Sequence, residues 1–184
     1  AQDSAKITLE NCTVKQTMAE NVWPNESDTY YGFEFAAIFV NGGVVEILEG
    51  TKPTTIENYN ESAAAVWVQR YGESGQFTMT KGSITADACN AIFITGGSTV
   101  ELNSVTVDNT KAGWAAVFAG NSSTLTVNGG SVTSGNHNAV RLFNSSTANI
   151  NADADNVGAK LKSGQNAVVA YADGSTLNLN RSTV

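Results

Sequence analysis

Along most of this chain, short apolar runs alternate with Thr, Ser and Asn, and no run within the repeats carries the helical period. Six copies of one phrase recur. Each opens with Ala or Asn-Ala before branched aliphatic residues, as at Ala36, Ala64, Asn90, Ala115, Asn138 and Asn166, and each continues into a Gly, Asn or Ser turn and a second strand-patterned run. The residue opening that second run sets the period: Ile7, Val45, Phe77, Val100, Leu125, Ala148 and Leu177 lie 38, 32, 23, 25, 23 and 29 residues apart. So short a unit cannot bury its own apolar face, so the copies must stack, with the uneven spacing emerging as loops. The pattern predicts three short strands per copy, for example Val100 to Leu102, Thr106 with Val107, and Ala116 to Ala119.

Three strands per turn without helices describe an all-β parallel β-helix, a single solenoid domain spanning residues 1–184 in about six to seven coils. Seven stacked strands give a rod of roughly 30 Å. Alternation assigns Val100 and Leu102, Leu125 and Val127, and Leu177 and Leu179 to the interior, and their neighbours Thr99, Glu101, Thr124, Thr126, Thr176 and Asn178 to water. Asn90, Asn138 and Asn166 are expected at one corner, as a ladder of amides that tolerate the left-handed conformation.

The strongest functional signal is a column of aromatics. In-register coils place Phe39, Trp67, Phe93, Phe118, Arg141 and Val169 at one position of the Ala-Ile/Val strand, flanked by columns that are wholly aliphatic or Ala. Because Arg141 belongs to the aromatic column, that column is the one expected outside, where a large apolar patch marks a binding surface. Three readings compete. Residues 15–35, an insertion in the first coil that carries Trp23, Tyr30, Tyr31, Phe33 and Phe35, fold over the column as a cap; the column is an open groove for glycan or peptide; or it meets another copy or further sequence. In the open groove, sugar rings would stack on Trp67 and Trp114 beside Asn and Thr hydrogen-bonding groups, which makes Phe39, Trp67, Phe93, Trp114, Phe118 and Arg141 the candidate ligand-binding residues. A flat outward Thr array would instead suit ice binding. The corresponding column, Thr8, Glu46, Thr78, Glu101, Thr126, Asn149 and Asn178, is interrupted by charge and amides.

The phrases Asn-Ala-Val, Gly-Ser-Thr-Leu and Asn-Gly-Gly-Ser-Val, from about residue 36 onward, resemble the right-handed β-helix passenger domains of pertactin-like bacterial autotransporters and related adhesin-like surface proteins. The resemblance implies right-handed coils, a secreted or cell-surface location and binding of a host or microbial surface glycan or protein. Polysaccharide lyases and hydrolases share such coils. An enzyme of that kind would use calcium-bound carboxylates with an arginine base, or paired aspartates, for which Asp87, Asp108, Asp153, Asp155, His137 and Arg141 are available. The hydrolase segments Asn-Thr-Asp, Asp-Asp and Gly-His-Gly are missing, and His137 reads as a turn residue, Arg141 as a solvated one and the Asp153/Asp155 pair as a solvated turn. The expectation is a non-catalytic adhesin or recognition module, with a carbohydrate-active β-helix enzyme as the alternative.

Charge narrows the partners further. Ten Lys and Arg against 17 Asp and Glu give a net charge of −7, which disfavours nucleic acid and anionic membrane surfaces. No run approaches the length of a membrane-spanning helix, so no membrane insertion is expected. Cys12, placed beside the first coil's third strand, and Cys89, just before Asn90 of the third coil, are expected near different corners two coils apart, beyond disulfide reach. With one histidine and two separated cysteines, neither a metal site nor a cofactor is expected. Six Asn-x-Ser/Thr sequons are no more than a chain rich in these residues produces. The run Arg181 to Val184 aligns with Asn103 to Thr106, so the sequence stops in mid-coil. A C-terminal continuation into more coils, a stalk or an anchor is the expectation.

Overall fold

A computed structural model describes residues 5–17, 35–109, 111, 113–164 and 167–184, with backbone only at Tyr171. The chain winds as a parallel β-solenoid of three faces. The first face stacks β1 (Lys6–Leu9), β4 (Val44–Ile47), the start of β7 (Gln76–Ala86), the start of β9 (Thr99–Asn109), β11 (Thr124–Asn128), β14 (Thr147–Asn151) and β17 (Thr176–Asn180). The second stacks β2 (Thr13–Gln16), β5 (Thr55–Asn58), the ends of β7 and β9, β12 (Ser131–Ser134) and β15 (Lys160–Ser163). A separate sheet forms the third: β3 (Ile38–Asn41), β6 (Val66–Gln69), β8 (Ile92–Ile94), β10 (Val117–Ala119), β13 (Val140–Leu142) and β16 (Val169–Tyr171).

All seven residues used to set the period are direct partners in this stack, Ile7 to Val45 to Phe77 to Val100 to Leu125 to Ala148 to Leu177. A one-residue slip would turn the aliphatic set to solvent, so burial fixes the register. The interior is continuous. Ile47, Met79, Leu102, Val127 and Ile150 run beside Phe77, Val100, Leu125 and Ala148, and they face Ile56, Ile84, Val107 and Val132 of the second face and Val66, Ile92, Val117 and Val140 of the third. Each such aliphatic side chain contributes about 1.5–3 kcal/mol on burial.

The corners explain how long strands bend. Lys81 with Gly82 inside β7, Ser104 inside β9, and Gly129 with Gly130 and Arg181 at the same corner of other coils sit at positive φ, so one or two left-handed residues turn the first face into the second. At the corner leading back to the first face two left-handed residues occur together: Gly96 with Gly97, Asn121 with Ser122, Asn144 with Ser145, and Asp173 with Gly174. A Cβ on Gly130 would lie 2.3 Å from the Val105 carbonyl, so glycine is required where that coil approaches its neighbour.

Four expectations are corrected. Leu177 is only half-buried and Leu179 is 47% exposed, because β17 has no third-face strand opposite it among the described residues; Ile7 on β1 is likewise exposed. Val169 belongs to the interior column with Val140, and Ala170 stands outside beside Arg141. The same shift puts Ala167 at the corner in register with Asn138, while Asn166 lies outside the described residues. Asn90 and Asn138 do hold that corner, but each donates its amide to a carbonyl of the next coil, Ala115 (2.5 Å) and Ala167, not to another amide. Neither has a positive φ. Finally, Cys12 precedes the second-face strand β2, donating its main-chain N–H to Thr54 Oγ1 at 3.4 Å. Both cysteines are free thiols.

Candidate ligand-binding face

Each middle strand of the third face contributes an inward, an outward and an inward residue, so this face presents one outward column. Register makes that column Phe39, Trp67, Phe93, Phe118, Arg141 and Ala170. Parallel strands hold the rings one strand spacing apart, close to the separation of stacked aromatics. Trp67 and Phe93 have ring centroids 4.4 Å apart with planes tilted by 38°, and Phe93 and Phe118 stack at 4.9 Å within 9° of parallel. Trp67, Phe93 and Phe118 each lie against a neighbouring ring and all four aromatics of the column are half-buried, whereas Arg141 at the end of the series is exposed. Gly120 lies against the Phe118 ring, where a Cβ would come within 2.9 Å of Cε1.

A row of amides and hydroxyls borders this ladder. Trp67 Nε1 donates to Gln69 Oε1 at 3.1 Å and Gln69 Nε2 to Asn41 Oδ1 at 3.1 Å. Further along, Asn121 Nδ2 donates to Thr95 Oγ1 (2.9 Å) and Asn144 Nδ2 to Asn121 Oδ1 (2.8 Å). The sequence pointed to Asn and Thr neighbours of the rings without singling out Asn41, Gln69, Thr95, Asn121 and Asn144, which occupy the turn of the repeated phrase.

Trp114 is outside the column. It occupies the corner before β10, its carbonyl accepting from Asn109 Nδ2 (2.9 Å) and Ser134 Oγ (3.3 Å), and its side chain is 55% exposed. The structure thus brings together Phe39, Trp67, Phe93, Phe118 and Arg141, with Trp114 on the adjoining edge. Of the insertion at 15–35, residues 18–34, including Trp23, Tyr30, Tyr31 and Phe33, lie outside the described residues.

The carboxylates considered for catalysis have local structural partners or stand apart. Asp87 pairs with Lys111 of the next coil at 2.7 Å. Asp153 accepts from the main-chain N–H of Val157 (2.9 Å) and Asp155 (3.0 Å) and from Ser104 Oγ (3.1 Å). The Val157 N–H, more than the other donors, holds its carboxyl below the usual aspartate range. Asp153 therefore fastens its turn and is poorly placed to release ligands to a cation. Among the described residues no group of three His, Cys, Asp or Glu side chains is placed to hold a metal ion. His137 lines a groove with Arg141, and burial pushes the Cys89 thiol above its ordinary pKa.

The outward column of the first face runs as expected through Thr8, Glu46, Thr78, Glu101, Thr126, Asn149 and Asn178. Beside it stand Thr99, Thr124, Thr147 and Thr176, and along the corner an amide ladder links Asn180 to Asn151 (2.9 Å), Asn151 to Asn128 (2.9 Å) and Asn128 to Asn103 (2.8 Å).

No protein-family model matches this chain, and neither does any curated protein or solved structure.

Proposed function

We propose that this solenoid is a secreted or cell-surface recognition module that binds a glycan or protein ligand along its third face without catalysing a reaction. The observation that carries the reading is the in-register column Phe39, Trp67, Phe93 and Phe118 on an outward face, with Trp67, Phe93 and Phe118 in ring contact, bordered by Asn41, Gln69, Thr95, Asn121 and Asn144. An outward aromatic column confers no fold that an outward Thr column would not, and apolar surface beside convergent polar groups is the composition of a binding site. Net charge of −7 and coil phrasing like that of pertactin-type passenger domains favour a surface-exposed adhesin of that kind. The pairing of Asp87 with Lys111 and the three hydrogen bonds to Asp153 favour binding over hydrolysis or elimination.

A glycan array together with a panel of extracellular-matrix and cell-surface proteins, probed with the purified chain and with Trp67→Ala, tests the reading. Selective binding by the wild type that the variant loses while keeping its β-rich circular dichroism supports it. Absence of any selective ligand, or equal binding by the variant, removes it.

A further inference from the structure

We propose that the aromatic ladder ends in a subsite for an acidic group carried by a carbohydrate ligand, with Arg141 as its anchor; this rests on the third face being a ligand-binding surface. Beyond Phe118 the outward column changes from rings to an exposed guanidinium and then to a methyl group, Ala170. The change opens a shallow groove of about 390 Å³ lined by His137, Asn138, Arg141, Ala167 and Ala170. It exists because Val169 turns inward there: the opposite register would set valine outside and fill the space.

In a chain of net charge −7, Lys6, Lys15, Lys81 and Lys111 are each matched with a carboxylate of a neighbouring coil. Among the described residues the Arg141 side chain, like those of Lys52, Lys160 and Lys162, has neither an ion pair nor a hydrogen bond, and of these four it is the one in line with the aromatic column. A planar guanidinium is suited to two-point hydrogen bonding with a carboxylate or sulfate, and its charge draws such a group against the negative field of the rest of the surface. His137 forms one wall, and its buried Nδ1 meets no hydrogen-bond partner among the described residues.

A carbohydrate fits this arrangement better than a peptide strand. Strand addition needs a sheet edge with free main-chain groups, whereas β6, β8, β10 and β13 are paired on both sides. Rings bordered by amides instead offer apolar contact and hydroxyl partners together, and Arg141 continues the same line one coil further on.

Three matched oligosaccharides decide the matter when titrated calorimetrically against the whole chain: a glucuronate-bearing oligomer, the same oligomer with its carboxyls reduced to primary alcohols, and a sulfated form of the reduced oligomer. The expectation is that at least one acidic probe binds about tenfold tighter than the neutral one, as a charge-assisted hydrogen bond supplies. Whichever acidic probe binds tighter identifies carboxylate or sulfate as the group. Arg141→Gln should bring the acidic and neutral probes to equal affinity, and Ala170→Leu, which fills the groove, should do the same. Equal binding of acidic and neutral probes by the wild type, or a preference that survives Arg141→Gln, overturns the subsite and leaves the aromatic surface standing. Failure of all three probes to bind overturns the subsite, and the broader panel of proteins and neutral glycans then decides the aromatic surface on its own.

Discussion

The first and third faces share one interior and differ in what they show to water. Inside, Phe77, Val100 and Leu125 on the first face and Ile92, Val117 and Val140 on the third are all buried aliphatic or aromatic residues at the same strand spacing. Outside, the first face carries Thr, Glu and Asn, which are at home in water, and the third carries stacked rings ending in an arginine. Outward positions contribute little to specifying a solenoid, because any strand-compatible side chain tolerates the pleat. The contrast therefore teaches that the inward columns account for the fold and that the outward columns are where function is to be sought.

Breaking the shared part should have the largest effect. Val117→Asp on the third face or Leu125→Asp on the first each puts a carboxylate in a fully buried stack with no partner, so both should abolish cooperative thermal unfolding of the surrounding coils. If either variant melts like the wild type, the division between inside and outside is wrong.

The next effect separates the faces. Phe93→Ala removes the ring that contacts both Trp67 and Phe118, and a half-buried stacked ring should cost about 1–3 kcal/mol by denaturant titration while weakening ligand binding. A cost in the range of about 3–5 kcal/mol for a wholly buried ring would mean that the column is covered in solution.

On the first-face corner, Asn128→Ala interrupts the amide ladder between Asn103 and Asn151. Loss of these hydrogen bonds should cost about 1 kcal/mol and leave binding intact. Ligand binding that falls with Asn128→Ala but survives Phe93→Ala would move the functional surface to the other side of the molecule.

The smallest change is expected from Thr126→Val in the outward column of the first face. Stability should stay within about 0.5 kcal/mol of the wild type, and affinity for a third-face ligand should not move. Ice recrystallisation assays with this variant sharpen the same comparison: inhibition by the wild type that Thr126→Val loses would assign a function to the hydroxyl columns.

Much of the coil geometry was legible in the sequence because it follows from a local rule repeated many times. Alternation tells which of Val100 and Glu101 is buried, and recurrence of the phrase tells that Val100 lies on Leu125; together they determine the solenoid, its register from Ile7 to Leu177 and the outward column from Phe39 to Arg141. The sequence alone could not decide the matters that depend on contacts between coils. Only the tertiary structure seated Val169 inside and Ala170 outside, since aligning one phrase with the next cannot weigh a residue gained in the preceding loop against the burial of a valine. Only it exposed Leu179, whose alternation matches that of buried Leu102 and Val127 but which has no third-face strand opposite it among the described residues. The same holds for the stacking of Phe93 on Phe118 and for Arg141 beyond them, which has no ion pair among the described residues: ring separation, partnering of charge and the space left by a small side chain arise between neighbouring coils, where the order of residues within one coil carries no information.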